Sequence, residues 1–328
     1  MDEIIVSIHC LTYNHEKYIA EAIDSFLMQK TNFKFEILIH DDASTDRTVD
    51  IIKKYQQKYP EIIKPIFQTE NQYSKGVNKI NYKFNFIRSK GKYIALCEGD
   101  DYWTDPYKLQ KQVDYMEGNP KCSMCFHAVN VVTVYNKIIN AIKPYNKNCI
   151  SSTEDIILGG GGFIATNSIV YRKDAMDKPP KLYFEWPVGD YPLQIITSTQ
   201  DYAYYINEFM SAYRVGVKDS WTSKMRSSKD RKAKNIKHIK KTILLLKQFN
   251  EYSNKKYSDA INQRISMLNI EILIIDRKIK ELKSSKYKTI YKSLSKKQKL
   301  KIYIKYYFPK LYIKLVCFKG YIKSWKER

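Results

Sequence analysis

The sequence predicts an α/β fold with a mixed, mainly parallel sheet, followed by a basic α-helical C-terminal region. Over the first 130 residues, short apolar runs typical of strands alternate with segments whose apolar residues recur at helical spacing. Polar residues crowd into three loops that follow strands, at 12–16, 41–46 and 98–105. Beyond about Val215 the sequence changes to lysine-rich helical patterns. We therefore expect two regions, residues 1–218 and residues 219–328.

The elements of the first region follow from apolar runs and their spacing. Short apolar runs predict four strands, at 4–8, 35–39, 64–67 and 93–97. Helical spacing and the positions of prolines predict four intervening or following helices, at 19–27, 47–58, 81–89 and 106–116. Strands joined in this way are usually parallel, with right-handed crossovers. Their polar loops should therefore meet at one edge of the sheet, where α/β proteins bind ligands.

The later elements are predicted in the same way. Two more strands are expected at 122–134 and 163–171, and a helix is expected to run from residue 190 through 196. The four glycines at 159–162 indicate a flexible or tightly turning segment. In the C-terminal region, helices are expected at 236–249 and 268–282. Cys122 and Cys125 have metal-site spacing, but no second pair follows them, so we interpret both as buried structural residues.

The carboxylates Glu98, Asp100 and Asp101 follow the fourth predicted strand within four residues. Clustered carboxylates repel one another, and a hard divalent cation between them removes that cost. Phosphate oxygens of a ligand would complete the shell of such a cation. The alternative is a solvated turn, since Asp is common in turns. This segment alone does not decide between the two interpretations.

Charge is distributed very unevenly along the chain. The net charge is +23, and residues 221–328 hold 31 Lys and Arg against 7 Asp and Glu, whereas residues 1–220 hold 26 against 27. Such a tail favours a polyanionic partner, either an anionic membrane surface or nucleic acid. Lysines alternate with aromatic residues between Tyr303 and Trp325, as in interfacial membrane contacts. No nucleic-acid motif is present, which favours the membrane. A solvated or dimerising helical bundle is the alternative.

The location in the cell follows from the same survey. No apolar run reaches the roughly 18 residues of a spanning helix, and the acidic N-terminus does not resemble a signal peptide. We therefore expect a cytoplasmic protein that lies peripherally on the inner face of the membrane.

Five segments of the chain are Cys10–Asn14, His40–Asp46, Thr69–Gly76, Glu98–Asp101 and Gly189–Pro192. In this order they resemble glycosyltransferase family 2, the inverting enzymes of bacterial surface polysaccharide synthesis. The resemblance covers roughly residues 3–215 and implies the GT-A fold, a Rossmann-like fold of nucleotide-diphospho-sugar transferases. The second segment is similar to the family's DDGSTD loop, with Ala43 in place of glycine, and the fourth to its D-x-D metal motif, with Glu98 in place of the first Asp.

The resemblance implies roles for residues on the donor side. Thr12, Tyr13 and Asn14 would hold the nucleotide base and ribose, with the Tyr13 ring stacked on uracil. Asp41 is the first choice, and Asp42 the second, for accepting a hydrogen bond from the uracil N3–H group. In the third segment, Asn71 would close on the nucleotide, with Lys75 as a weaker candidate. Without the family, these loops are equally typical of turns and helix caps.

The resemblance also implies the catalytic groups. Asp100 would bind Mn²⁺ or Mg²⁺, Glu98 would approach the ribose or a metal-bound water, and Asp101 would contact donor sugar hydroxyls or support the metal indirectly. Asp190, at a helix start, would be the general base, although Asp is also common there as a cap. Weaker candidates would shape the sugar and acceptor pocket: Trp103, His127, Asn167, Ser168 and the 160–162 turn.

The predicted function is therefore metal-dependent, inverting transfer of a hexose. The donor would be a nucleotide-diphosphate sugar with UDP as the expected carrier, and the acceptor a lipid-linked glycan or polysaccharide. A homo-oligomer is compatible with the helical tail. A sugar nucleotidyltransferase is the first alternative, but residues 10–15 lack the Gly and Lys of a triphosphate loop. A non-enzymatic nucleic-acid binder acting through the tail is the second.

Overall fold

The computed structural model describes residues 3–186, 188–218, 220, 230–284, 288, 291–292 and 296–308. One mixed sheet of ten strands forms its centre. The strands are β1 Ile4–Thr12, β2 Lys34–Asp41, β3 Ile63–Phe67, β4 Tyr93–Leu96, β5 Tyr102–Trp103, β6 Cys122–Thr133, β7 Ile138–Ile142, β8 Cys149–Ser151, β9 Val170–Arg172 and β10 Tyr202–Val215. Their order is β3-β2-β1-β4-β9-β6-β10-β5, and β7 and β8 pair at the sides with β6 and β10.

The first four strands confirm the predicted parallel half of the sheet. β1 lies between β2 and β4 and is parallel to both, and β3 is parallel to β2. β9 then reverses the direction, because it is antiparallel to β4 on one side and to β6 on the other. β10 runs parallel to β6, and its end pairs antiparallel with β5. The carboxyl ends of β1, β2 and β4 therefore share one edge, as the sequence predicts.

Nine α-helices are present among the described residues. They are α1 Ile19–Leu27, α2 Thr48–Lys58, α3 Lys108–Gly118, α4 Thr153–Gly159, α5 Lys181–Glu185, α6 Asp190–Gln200, α7 Arg231–Tyr252, α8 Ser258–Ile275 and α9 Lys296–Tyr307. α1, α2 and α6 lie where the sequence predicts helices. The helix predicted at 81–89 is instead a π-helical turn, Asn81–Asn85, followed by a 3₁₀ turn, Phe86–Arg88. The helix predicted at 268–282 begins ten residues earlier and ends at Ile275.

The strand predicted at 163–171 is wrong over most of its length. Only Val170–Arg172 is a strand, and Thr166–Ser168 form a 3₁₀ turn before it. The Ser168 hydroxyl donates to the Ala165 carbonyl, which is the kind of local side-chain bond that competes with a sheet ladder. The 14-residue strand β10, by contrast, is not predicted by the sequence analysis. It lies in a tyrosine-rich stretch with little alternation between polar and apolar residues.

Two hydrophobic clusters hold the sheet and its helices together. One is built on β1, β2, α1 and α3, with Ile8, Phe26 and Trp103 fully buried. The other includes residues of β6, α4 and α6 and extends to α7 and α8 through Leu246, Phe249 and other apolar side chains. Because α7 and α8 share this core with the sheet, they are packed onto the α/β part of the molecule.

The division into two regions at residue 218 stays a prediction. Part of the C-terminal region, including residues 221–229 and 309–328, lies outside the described residues, and so does most of the aromatic stretch from Tyr303 to Trp325. Of the helices that the structure describes, none combines the length and the apolar character needed to cross a membrane. Cys122 and Cys125 are both buried in β6.

Candidate active site

A cavity of about 420 Å³ opens at the carboxyl ends of β1, β2 and β4. Its walls come from four polar segments that are far apart in the sequence. Six of the predicted site residues line it, namely Thr12, Tyr13, Asp42, Asn71, Glu98 and Asp100. The sequence analysis did not single out the other lining residues: Leu11, His15, His40, Tyr73, Ser74, Ile80 and Ser220. The topology therefore brings together in one place segments that were identified separately.

The loops after β1 and β2 are joined by side-chain hydrogen bonds to backbone. The Asn14 backbone N–H donates to the Ser44 hydroxyl (2.8 Å), and the Thr45 N–H donates to Oδ1 of Asn14 (2.8 Å). Both loops contain a non-glycine residue in the left-handed region, Asn14 at φ 56° and Ala43 at φ 62°. Ala43 therefore has a strained backbone conformation, which the glycine of the family's loop would adopt more easily.

The two aspartates of the second loop have different positions. Asp41 is fully buried, and both of its carboxylate oxygens accept hydrogen bonds from Ser44. Burial raises the pKa of its carboxyl. Asp42 lies on the cavity wall, where it accepts the backbone N–H groups of Gln72 (2.7 Å) and Tyr73 (3.0 Å). Asp41, the first choice for the uracil N3–H group, thus shapes the loop, and Asp42, the second choice, lines the cavity.

Asp42 also fixes the third predicted segment against the second. The Asn71 side-chain amide donates to the Asp42 carbonyl (2.9 Å), and Oδ1 of Asn71 accepts the Ser74 N–H (2.7 Å). The predicted Asn71 is therefore a loop-forming residue that also lines the cavity. Lys75 pairs instead with Glu70 at the exposed surface.

The carboxylate loop that follows β4 is placed by its glycine. The Gly99 N–H donates to the Leu11 carbonyl (2.8 Å), and a Cβ at this position would lie 2.8 Å from Oγ1 of Thr12. A side chain at 99 would therefore push the loop away from β1. Glu98 and Asp100, on either side of this glycine, both line the cavity. Nε2 of His15 lies 3.9 Å from Oδ2 of Asp100.

Asp101 points away from the cavity and accepts a hydrogen bond from the backbone of β10. Its Oδ1 accepts the Arg214 N–H (2.7 Å), and its side chain is almost fully buried. The Arg214 guanidinium donates to the Asp100 carbonyl, to Glu21 and to Oδ1 of Asn136. It lies between the rings of Tyr18 and Tyr102, 4.7 Å and 5.0 Å from their centroids. We call this set of contacts the Arg214 cluster.

The sequence analysis missed Arg214. It is a single arginine at the end of an unpredicted strand, 113 positions from Asp101 along the chain. The pairing of β10 with β5 and β6 brings it under the carboxylate loop. No local pattern indicates this contact.

Burial and neighbouring charges raise the pKa of two acids in this loop, Glu98 and Asp101. Desolvation of the Glu98 carboxyl by the surrounding protein raises its pKa to about 8, and the negative charges of Asp100 and Asp190 contribute to this shift. Burial and the neighbouring Asp100 also raise the pKa of Asp101, and the hydrogen bond from the Arg214 backbone opposes that change. A cation bound between Glu98 and Asp100 would relieve this repulsion. The two carboxylates on the wall therefore fit a hard divalent cation.

The protein alone does not supply a complete cation shell in this part of the chain. Among the described residues, no three His, Cys, Asp or Glu side chains are grouped so that they could hold a metal ion. Hard cations take six or more oxygen ligands. The oxygens beyond those of Glu98 and Asp100 would have to come from water or from a bound ligand.

Asp190 begins α6, as the sequence predicts. Its Oδ1 accepts the Tyr191 N–H (2.8 Å), and burial raises the pKa of its carboxyl. Lys79 was not predicted as a site residue. It donates from Nζ to the carbonyls of Trp186 (3.0 Å) and Val188, in the segment just before Asp190. Burial lowers the pKa of Lys79 to about 8, an effect that the charge of Asp190 opposes.

The four weaker pocket candidates lie in the interior and do not line the cavity. Nε1 of Trp103 donates to the Asn167 carbonyl (3.0 Å), and the Asn167 amide donates to the Ala212 carbonyl (2.9 Å). Ser168 is fully buried, and His127 is buried with burial lowering its pKa. The bonds of Trp103 and Asn167 join β5 to β10 behind the carboxylate loop. A contact of these four residues with sugar stays a prediction.

Comparison with known proteins gives a family for most of the α/β part. The family model described as Glycosyl transferase family 2 matches residues 7–178. An uncharacterized protein of Mycobacterium bovis is 42% identical over 168 residues, which are 51% of this chain and 47% of that protein. An uncharacterized glycosyltransferase of Methanocaldococcus jannaschii is 29% identical over 290 residues, 85% of this chain and 96% of that one. The chain spans about half the length of the mycobacterial relative.

A third relative has a specific name. WfaP of Escherichia coli, a UDP-Glc:α-D-GlcNAc-diphosphoundecaprenol β-1,3-glucosyltransferase, is 38% identical over 113 residues, 34% of this chain and 41% of that protein. Among solved structures, TarS 1–349 of S. aureus with UDP-GlcNAc superposes with TM-score 0.60 at 15% identity, covering 92% of this chain and 79% of that one. PcManGT, a mannosyltransferase of Pyrobaculum calidifontis with GDP-Man and Mn²⁺, gives 0.55 at 14% identity, covering 99% and 88%. These two likenesses show the GT-A fold.

Replacing Arg214 by methionine should destabilise the protein by about 2–4 kcal/mol, because Glu21 and the acceptors around Asp100 lose a buried charged partner. Urea unfolding followed by circular dichroism would measure the change. Arg231→Met, at the exposed start of α7, is the control and should change the free energy of unfolding by less than about 0.5 kcal/mol. Equal stability of the two variants would contradict the importance of the Arg214 cluster.

Proposed function

Because this chain belongs to glycosyl transferase family 2, we propose that it transfers a hexose from a UDP-linked sugar to a lipid-linked glycan of surface polysaccharide synthesis, with inversion and with a divalent cation. The observation that carries the proposal is the convergence of four polar segments on one cavity that holds Glu98 and Asp100, with Asp190 close enough for its charge to raise the pKa of Glu98. Transfer from a nucleotide-diphosphate sugar by this mechanism uses three features: a pocket for the nucleotide, oxygen ligands for the cation, and a base for the acceptor hydroxyl.

The nucleotide would occupy the part of the cavity between β1 and β2. Tyr13 offers a ring for stacking on the base, and Thr12 and Asn71 offer polar edges. We assign recognition of the base N–H group to Asp42, because this residue lines the cavity and Asp41 does not. Both carboxylates also accept hydrogen bonds within the loops, Asp41 from Ser44 and Asp42 from the 72–73 backbone. The TarS complex with UDP-GlcNAc and the PcManGT complex with GDP-Man support a nucleotide-sugar donor for this fold.

Asp100 and Glu98 would hold the cation, with diphosphate oxygens of the donor completing its shell. When bound, Mn²⁺ or Mg²⁺ stabilises the negative charge on the departing diphosphate. Asp101 remains behind the wall, where its bond to the Arg214 backbone fixes the loop. The Mn²⁺ in the PcManGT structure supports this choice of cofactor.

Asp190 would act as the general base. As an acceptor hydroxyl oxygen forms its bond to the anomeric carbon, its proton passes to the Asp190 carboxylate. The bond from that carbon to the diphosphate oxygen breaks on the opposite face, and the electron pair leaves with the nucleotide. Burial raises the pKa of Asp190 and so makes it a better proton acceptor than an exposed aspartate.

The lipid-linked acceptor is supported by an exposed face of α9. Four large apolar side chains follow one another at helical spacing and are about half exposed, Leu300, Tyr303, Tyr307 and Phe308. The opposite side of the helix is occupied, because Ile302 packs against a small apolar cluster that includes Ile270 and Leu273 of α8, and the Tyr306 hydroxyl donates to the Arg277 carbonyl. In a lysine-rich region, such a face suits an anionic membrane surface. The lipid acceptor named for WfaP agrees with this placement.

Asp190→Asn should lower the rate of transfer about 100-fold or more and leave the KM for the donor almost unchanged, since only proton removal is affected. Release of UDP would be measured with UDP-glucose, UDP-galactose or UDP-N-acetylglucosamine, Mn²⁺ and GlcNAc-diphosphoundecaprenol. The matched control is Asp201→Asn, just beyond the other end of α6, which should keep full activity. Full transfer by Asp190→Asn would show that another group is the base.

Asp100→Asn should weaken the binding of UDP in the presence of Mn²⁺ at least tenfold, because a cation ligand is lost. Isothermal titration calorimetry would measure UDP with Mn²⁺, and again with EDTA, where the wild type should fall to the level of the variant. Asp114→Asn, at the exposed surface of α3, is the control. Binding of UDP that is insensitive to both EDTA and the variant would contradict the cation site.

Replacing both Tyr303 and Tyr307 by serine should reduce binding to phosphatidylglycerol vesicles at least fivefold, because the exposed face of α9 loses its apolar area. Co-sedimentation at low and high salt would measure the binding, with phosphatidylcholine vesicles for comparison. Leu244→Ser is the control, since Leu244 is equally exposed but lies on α7. Equal sedimentation of the variant and the wild type would exclude this face as the membrane contact.

A further inference from the structure

A second cavity, of about 290 Å³, lies between the start of α6 and the helices α7 and α8. Val188 and Tyr191, which flank the proposed base Asp190, both line it. Its volume is close to the lower end of about 300 Å³ that is usual for small-molecule sites. The cavity is therefore a place next to the base where part of a second substrate can lie.

The lining of this cavity is mixed in polarity. α7 contributes Asn235 and His238, and α8 contributes Arg264 and Glu271, beside apolar residues such as Leu268. Arginine and glutamate together leave little net charge, so the lining does not select a phosphate. Amide, imidazole and carboxylate groups beside apolar walls are suited to a neutral ligand with many hydroxyl groups.

The Arg264 guanidinium packs against the glycine turn after α4, where a side chain would displace it. Gly160 has φ +68°, and a Cβ there would lie 2.1 Å from Nη2 of Arg264. The guanidinium donates from Nη1 to the Leu158 carbonyl (3.4 Å) and also interacts with the Tyr191 hydroxyl, whereas its buried Nε has no hydrogen-bond partner among the described residues. A polar group that is buried without a partner is costly, and a ligand that accepts a hydrogen bond would remove that cost.

Asp190 lies between the two cavities. On one side its neighbours Val188 and Tyr191 line the second cavity, and on the other Lys79, the neighbour of Ile80 on the wall of the first cavity, donates from Nζ to the Val188 carbonyl. A hydroxyl that reaches the donor past Asp190 can therefore belong to a molecule held in the second cavity. This arrangement gives the C-terminal helices a part in the reaction.

We infer that the second cavity binds the terminal sugar of the acceptor as a neutral saccharide, through Arg264, Asn235 and Glu271, and so presents its hydroxyl to Asp190. The inference rests on the proposed function, since it takes Asp190 as the base. It assigns acceptor selection to α7 and α8, which lie outside the part matched by the family model.

Saturation-transfer-difference NMR on the full chain tests this inference without an assay of activity. The probes are methyl β-D-glucopyranoside and methyl N-acetyl-β-D-glucosaminide, each measured with and without saturating UDP and diamagnetic Mg²⁺. We expect signals from at least one glycoside that persist in the presence of UDP. Arg264→Leu and Asn235→Ala should each reduce them at least fivefold, and Gly160→Ala, which displaces the guanidinium, should do the same.

Gln263→Leu is the matched control, because Gln263 is the exposed neighbour of Arg264 on α8 and does not line the cavity. It should keep the full signal. The inference is overturned if neither glycoside gives a signal, if UDP displaces both, or if both Arg264→Leu and Asn235→Ala leave the signal unchanged. Signals from UDP in the same samples report on the first cavity. Their absence would count against the proposed function, and so distinguishes the two failures.

Discussion

The site depends on the Arg214 cluster, because it holds three carboxylates close together at the end of β4. Without the buried Arg214 guanidinium behind the loop, only solvent or a bound ligand would offset the repulsion between Glu98, Asp100 and Asp101. Arg214 binds the loop by its backbone N–H, which donates to Asp101, and by its guanidinium, which donates to the Asp100 carbonyl, so the position of Asp101 is fixed. Asp100 and Glu98 then remain for the cavity. One residue at the end of the longest strand thus separates structural from ligand-facing carboxylates.

Much of this arrangement follows from the sequence, because it is encoded locally. The first four strands are short apolar runs, and parallel topology requires that their polar loops share one edge. The carboxylates after β4, the polar loops after β1 and β2, and Asp190 at a helix start are all visible as patterns. The family model matches residues 7–178, which include the loops after β1 and β2 and the carboxylates after β4 but not Asp190. The predicted roles of individual residues depend on finer geometry.

That geometry was not predictable where it arises from contacts between distant segments. Asp41 and Asp42 are adjacent acids in a turn-forming loop, and only the hydrogen bonds of Ser44 and of the 72–73 backbone show which one faces the cavity. Trp103, Asn167 and Ser168 have polar groups that suit a sugar, yet these groups are used up by backbone partners in the interior. β10 lacks the alternation of a half-exposed strand, since it is largely enclosed by its neighbours.

The loop after β3 links the proposed donor side of the site to the proposed base. Asn71, Tyr73 and Ser74 of this loop line the first cavity, while Lys79 at its far end donates to the carbonyls of Trp186 and Val188, just before Asp190. Lys79 has φ 54° and a buried ammonium, so its position is costly and is held by those two carbonyls. A nucleotide that orders the start of this loop would therefore also restrain the segment that carries Asp190. Donor binding and placement of the base are in this way joined by one short stretch of backbone.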